Sequence, residues 1–169
     1  AQLAEEAGAV LIRHDTNRGK AEAVNTGLRH ARQMDAAIVV LIDGDGQHDP
    51  TEIPALLAPI ENQQADMVVG SRFLTIRSRI PRWRIFGQHA LTLATNVASG
   101  VPLTDSQSGF RALSRAALQQ LNFRPNGGFS IESEMQFLAH QHHLAVTEIP
   151  VSVTYAEPSK RNPVQHGMQ

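Results

Sequence analysis

The sequence predicts an α/β domain with a mixed, mostly parallel sheet flanked by helices, and three observations carry that expectation. Residues 36–42 form a continuous apolar run of strand length, as expected of a strand buried on both faces. Residues 20–32 before it carry Ala21, Val24, Leu28 and Ala31 at helical spacing. After it a second helix start leads to a second apolar strand, residues 66–71, and alternation of this kind predicts a parallel sheet.

The elements follow in order. Residues 1–7 read as the tail of a helix stopped by Gly8, and residues 9–12 as a short apolar strand entering the loop 13–19. In Asp49-Pro50-Thr51-Glu52, Asp49 is the expected N-cap, Pro50 the first helical residue and Glu52 the partner in a capping box, which predicts a helix to about Ile60. The strand 66–71 ends in Gly70-Ser71-Arg72, and a polar connection leads to a helix over 83–98, closed by Gly100 and Pro102. Residues 130–142 predict another helix, followed by strands over 145–149 and 151–155 on either side of Pro150. No repeat or change of composition divides the chain, so its 169 residues are expected to form a single domain.

Composition narrows the function classes. A net charge of −1 gives no overall attraction for nucleic acid. The average hides an asymmetry, because residues 67–104 contain no Asp or Glu while Arg72, Arg77, Arg79, Arg82 and Arg84 crowd together. With no cysteine, any metal must be held by oxygen or imidazole, and a reducing cytoplasmic setting is compatible. No apolar run approaches the roughly 20 residues of a spanning helix, so a soluble or peripheral protein is expected.

The chemistry is concentrated after the strand 36–42, where Asp43-Gly44-Asp45-Gly46-Gln47 stands. Ligands of open α/β sheets bind beyond the carboxyl ends of strands. Two carboxylates separated by a glycine, with the Gln47 amide oxygen, suit a hard divalent ion that completes its shell with substrate phosphates. An EF-hand is excluded, since His48 and Pro54 occupy the positions that need Gly and Glu. A phosphatase of the haloacid dehalogenase type and a simple polar turn remain as other readings. Asp49 is assigned to capping.

The ordered set Asn17-Arg18-Gly19-Lys20, Asp43-Gly44-Asp45-Gly46-Gln47, Gly70-Ser71-Arg72, Asp105-Ser106-Gln107-Ser108-Gly109-Phe110-Arg111, Glu132-Ser133-Glu134-Met135 and Glu148-Ile149-Pro150-Val151 resembles family 2 glycosyltransferases. The branch is that of dolichol-phosphate mannosyltransferase and its bacterial polyprenyl-phosphate relatives. The resemblance implies a GT-A (Rossmann-like) fold and inverting transfer of a sugar from a nucleotide-diphosphate sugar. It also implies Mg²⁺ or Mn²⁺ on the donor diphosphate, held by Asp43, Asp45 and Gln47. Relatives open with a strand and a Pro-x-Tyr-Asn-Glu-like loop that hold the nucleobase, so the domain is expected to be incomplete at its N-terminus and to expose a sheet edge that pairs with a second copy.

On the acceptor side, Arg forks bind phosphate bidentately, and the resemblance implies that Arg72 with Arg82 or Arg84 holds a polyprenyl phosphate at the cytoplasmic membrane face. Such a phosphate, with its second pKa of about 6, is ionised at neutral pH and needs no strong base. A hydroxyl acceptor on a soluble small molecule would need one, and Asp105 and the pair Glu132 and Glu134 are the candidates. At about 100° per residue the two glutamates point roughly 200° apart. Glu134 shares the face of Ile131, Met135 and Leu138, so it is expected inward, and Glu132 is expected to favour the helix N-terminus from outside. Lys20, opening a helix, is an expected donor-side cation, and the resemblance of Ser159-Lys160 to a C-terminal family loop that closes over the donor diphosphate implies the same for Lys160, between Pro158 and Pro163. A metal or nucleotide-binding module without catalysis is the non-enzyme alternative.

Overall fold

The computed structural model describes residues 2–74, 82–123 and 130–154, with side chains from residue 90 onward in the helix that starts at Arg82. Four strands, β1 (Ile38–Leu41), β2 (Met67–Ser71), β3 (Arg111–Ser114) and β4 (Val146–Pro150), form one sheet in the order β1-β3-β2-β4. β2 and β4 are parallel, and β3 is antiparallel to both of its neighbours. Three strands therefore run one way and β3 runs against them. The helices are α1 (Gln2–Glu6), α2 (Gly19–Gln33), α3 (Ile53–Glu61), α4 (Arg82–Ser99), α5 (Arg115–Gln120) and α6 (Ile131–Gln141).

Strand alternation sorts the core into two layers. Met67, Val69 and Leu113 face one side, where they pack with Leu28 of α2, Leu118 of α5 and Met135 of α6. Val68 and Ala112 face the other, against Leu56 and Ile60 of α3. Every residue of β2 is buried, and each large aliphatic side chain sunk there stabilises by about 1.5–3 kcal/mol. That two-sided burial explains why its sequence is apolar without interruption.

Local signals behave as their chemistry dictates. Gly8 ends α1 with φ +81°, and Asp49 accepts the Thr51 N–H at 2.9 Å as the N-cap of a single 3₁₀ turn leading into α3. Glu52 does not close a capping box. Its carboxylate instead accepts the Ser152 N–H at 2.9 and 3.1 Å, tying the chain after β4 to the start of α3.

Two expected strands are corrected. Residues 9–12 have no strand partner among the described residues, and Val10 is 71% exposed; an apolar run without a neighbouring strand cannot pair its backbone groups. In the stretch 151–155, Val153 makes one isolated bridge to His48. The parallel ladder ends on the bond from the Val151 N–H to the Ser71 carbonyl at 3.0 Å, and Tyr155 lies outside the described residues. The strand β3 and helix α5 were not expected.

A Cβ at Gly70 would stand 2.8 Å from Val151 Cγ1 and 3.2 Å from the Phe110 carbonyl oxygen. Gly70→Ala is thus expected to destabilise the domain by about 1–3 kcal/mol through overpacking, read from urea unfolding. An unchanged midpoint would show that the strands yield without cost.

Candidate active site

The direction of β3 determines what meets at the working end of the sheet. Because β3 is reversed, its start lies beside the ends of β1, β2 and β4: Leu41 and Val69 both pair with Arg111, and Ser71 pairs with Pro150. The loop 105–110 is thereby delivered between the acidic loop after β1 and Arg72 after β2. Phe110 links the two sides, its carbonyl accepting the Gly70 N–H at 2.9 Å and its ring lying 5.0 Å from that of His48.

On the acidic side, the Asp45 carboxylate accepts the Gln47 N–H at 3.0 Å and Gly46 turns the chain with φ +74°, an Asx-type turn. The Gln47 carbonyl accepts the Thr154 N–H at 3.0 Å. Asp45 is exposed, and among the described residues its second oxygen meets no protein donor. Lys20, in the first turn of α2, places Nζ 2.9 Å from Asp43 Oδ1, 3.1 Å from Asp43 Oδ2 and 2.7 Å from Glu132 Oε1. Burial pulls the Lys20 pKa down, but the hydrogen bonds and charges of Glu132 and Asp43 outweigh it, so the net shift is upward.

The donor set fits a divalent cation shared with a substrate. Among the described residues no group of three His, Cys, Asp or Glu side chains is placed to hold a metal. Asp43, Asp45 and the Gln47 amide would supply at most half of an octahedral shell, leaving the rest to phosphates and water as is ordinary for Mg²⁺.

The other side is closed and rigid. Asp105 is fully buried. Its Oδ2 accepts from Arg72 Nε at 2.6 Å and from the Arg72 backbone N–H at 3.1 Å, while Oδ1 accepts from Nη2 at 2.7 Å. A bidentate pair of this kind fixes the guanidinium plane. Glu148 on β4 in turn accepts the Thr104 and Asp105 N–H groups at 2.7 and 3.0 Å and the Thr104 hydroxyl at 3.0 Å. Arg111, completely buried, donates to the carbonyls of Ser106, Ser108 and Glu132 at 2.7, 2.8 and 3.0 Å. Burial lowers its pKa to about 10, with the charges of Glu132, Asp105 and Glu148 opposing the shift, so it is cationic at neutral pH. His48 feels both sides. Burial and then the Arg72 charge lower its pKa, against Asp43, Asp45 and Asp105.

The structure thus gathers Lys20, Asp43, Asp45, Gln47, Arg72 and Asp105 at one end of the sheet. Arg82 and Arg84 begin α4, but their side chains, with Lys160, Arg77 and Arg79, lie outside the described residues. The expected facing fails for Glu132, which is 8% exposed and bound to Lys20; Glu134 is half-buried. Helix α6 packs on two sides at once. Ile131, Met135 and Ala139 enter the sheet core, and Ser133 and Gln136 bond to Thr95 and Asn96 of α4, so the face carrying Glu132 and Gln136 is not solvated. Glu148, Gly109 and Arg111 stand in the motifs that carry the resemblance, but their contacts are between distant segments, and for Glu148 that motif and its charge in a half-buried strand are the signals the sequence offers.

A family model described as Glycosyl transferase family 2 matches residues 1–121. The chain belongs to that family. It is 32% identical over 161 residues to the uncharacterized protein MJ1222 of Methanocaldococcus jannaschii, covering 94% of this chain and 66% of the relative. It is 35% identical over 153 residues to the UDP-N-acetylglucosamine–dolichyl-phosphate N-acetylglucosaminyltransferase of Methanococcus voltae, covering 89% and 61%. The chain spans a little under two thirds of the length of these family 2 relatives. The fold is that of glucosyl-3-phosphoglycerate synthase from Mycobacterium tuberculosis, a crystal structure of which, in complex with Mn²⁺, uridine diphosphate and glucosyl-3-phosphoglycerate, superposes with a TM-score of 0.63 at 22% identity over 96% of this chain and 57% of that one.

A Cβ at Gly109 would overlap Asp43 Oδ2 and stand 3.3 Å from Lys20 Nζ. Gly109→Ala is expected to displace the Asp43 carboxylate while leaving the thermal midpoint nearly unchanged. Mn²⁺ affinity in the presence of UDP should fall roughly 10- to 100-fold, the range seen when a ligand loses its support. Undiminished Mn²⁺ binding would remove Asp43 from the ligand set.

Proposed function

We propose that the protein containing this chain transfers a sugar from a nucleotide-diphosphate sugar to a polyprenyl phosphate, with inversion and with the help of Mg²⁺ or Mn²⁺. The observation that carries this reading is the meeting, across the loop 105–110, of an exposed oxygen-donor loop with a buried arginine held by a carboxylate. The dolichyl-phosphate acceptor named for the Methanococcus voltae relative and the Mn²⁺ and uridine diphosphate bound by the mycobacterial fold neighbour agree with it.

In this mechanism Asp43, Asp45 and Gln47 would hold the cation, whose charge would offset that developing on the departing diphosphate. Lys20, paired with both Asp43 and Glu132, stands on the donor side and would keep Glu132 as its partner with Asp43 on the cation. An acceptor phosphate oxygen attacks the anomeric carbon from the face opposite the nucleotide. The new carbon–oxygen bond forms as the bond to the diphosphate breaks, and the bonding pair leaves with the nucleoside diphosphate.

The acceptor phosphate arrives ionised, so no proton need be removed. Asp105, expected as a candidate base, is better placed to orient Arg72, since its fully buried carboxylate accepts three hydrogen bonds from Arg72. Arg72 is assigned to the acceptor phosphate. Arg82, Arg84 and Glu134 are assigned to the acceptor side, and Lys160 to the donor side, on family resemblance alone. Among the described residues no helix is long and apolar enough to cross a membrane, and a lipid acceptor places the reaction at the cytoplasmic membrane surface.

The full-length protein tests this with UDP-N-acetylglucosamine and dolichyl phosphate as first substrates. Asp45→Ala should abolish divalent-dependent transfer; full activity at saturating Mg²⁺ would end the metal assignment. Arg72→Ala should raise the KM for the lipid phosphate by roughly 10- to 100-fold, as for loss of a charge-assisted hydrogen bond, while sparing the donor KM. A rise confined to the donor KM would move Arg72 to the other substrate.

A further inference from the structure

We propose that Glu148 is a positioning residue for Arg72, acting through Thr104 and Asp105 although it does not touch the arginine in any contact described above. The inference rests on the assignment of Arg72 to the acceptor phosphate. Its geometric part stands on its own.

A carboxylate can only accept, and this fixes the polarity of everything attached to it. Glu148 Oε2 accepts the Thr104 N–H, and Oε1 accepts both the Thr104 hydroxyl and the Asp105 N–H. With its proton committed to Glu148, the Thr104 hydroxyl must accept from Ser71, whose Oγ lies 2.6 Å away. Ser71 Oγ in turn accepts the Phe73 N–H at 3.2 Å. One hydrogen-bond chain therefore runs from Phe73 through Ser71 and Thr104 to Glu148. A second runs from Arg72, by its backbone N–H, Nε and Nη2, to the Asp105 carboxylate, whose own backbone is held by Glu148.

Both chains clasp the turn 71–73 and both end on one side chain. Glu148 is itself fixed by the parallel ladder, where it stands opposite Val69, three residues before Arg72. The Nε–Nη2 edge of the guanidinium is taken by Asp105, so the direction of its remaining edge follows from where Asp105 sits. Glu148 determines that position. A planar fork recognises a phosphate only when its plane is aimed correctly, and an error of about 1 Å in such a group costs on the order of 10²-fold in rate.

Glu148→Gln is the informative variant because it keeps the shape and removes the acceptor-only character. In either orientation its amide NH₂ faces a backbone N–H, of Thr104 or of Asp105. The probes are farnesyl phosphate, a short polyprenyl phosphate, and UDP with Mn²⁺, titrated into full-length protein carrying Glu148→Gln, Arg72→Ala or both. We expect Glu148→Gln to weaken farnesyl phosphate roughly 5- to 20-fold, equivalent to one lost hydrogen bond to a charged group, and to leave UDP binding unchanged. The double variant should bind farnesyl phosphate no more weakly than Arg72→Ala alone, the signature of two residues acting as one. Equal weakening by Glu148→Gln with and without Arg72, or equal loss of UDP affinity, would overturn the proposal.

Amide exchange separates this inference from the reading it rests on. Glu148→Gln should accelerate exchange of the Arg72 N–H, which Glu148 does not contact, at an unchanged global melting temperature. Accelerated exchange with no farnesyl phosphate effect from Arg72→Ala would retire the acceptor assignment and keep the positioning role. Unaltered exchange at Arg72 would retire the positioning role whatever Arg72 binds.

Discussion

The reversal of β3 is the constraint on which the site depends. Were the strand between β1 and β2 parallel to them, its carboxyl end would join theirs and the loop before it would lie at the far end of the sheet. Running the other way, β3 brings the chain that precedes it to the working end. Gly109 can then approach Asp43 so closely that a Cβ there would displace the Asp43 carboxylate, and Asp105 can take Arg72. One antiparallel strand thus inserts a loop into the crevice where ligands of α/β sheets bind.

That loop is short and polar, and it would not hold its shape unaided. Arg111, the first residue of β3, folds back beneath it and satisfies three carbonyls, two in the loop and one at the start of α6. A buried cation meeting only carbonyl oxygens would be costly without compensating charge, and the surrounding Glu132, Asp105 and Glu148 act on it in the stabilising sense. Glu132 serves twice, countering Arg111 through space and Lys20 by contact. The buried Arg72–Asp105 pair follows the same logic. Removing one member would leave the other charge buried, at roughly 3–5 kcal/mol, so the pair's geometry is enforced by the penalty for breaking it.

How much of this was legible in sequence depended on the range of the interactions. The strand β1, the cap at Asp49 and the helix α6 are decided by neighbouring residues and were read correctly, although β1, at the sheet edge, is half-buried and not enclosed on both faces. The acidic loop was legible because its donors are consecutive. Strand β3 was missed because it is four residues long with an arginine at its first position, and its apolar character shows only when Leu113 and Ala112 are assigned to opposite faces of the sheet. Glu132 of α6 was misassigned because a helical wheel finds the apolar stripe but not a second packing partner, and α4 buries the polar flank. Glu148 lies 43 residues from the Asp105 backbone it holds, and nothing local marks that contact. The segment 9–12 was misjudged for the converse reason, since apolar alternation reports a tendency to pair but cannot supply the pairing strand.

The two sides of the site differ in the way their proposed tasks require. A cation that arrives and departs with a diphosphate needs ligands that are exposed and can change partners, and Asp43 is held by Lys20, whose side chain is 48% exposed. Exposed ion pairs are worth little, about 0–1 kcal/mol, so exchanging that ammonium for a metal would cost little, and Glu132 would keep Lys20 in place beside the loop. An acceptor phosphate that must be aimed at a carbon atom needs the opposite, a donor fork that cannot turn. Arg72, 10% exposed against a fully buried carboxylate, has that property. Under the proposed reaction the donor half would be remade at each turnover and the acceptor half would stay as folded, and the loop preceding β3 is where the two are joined.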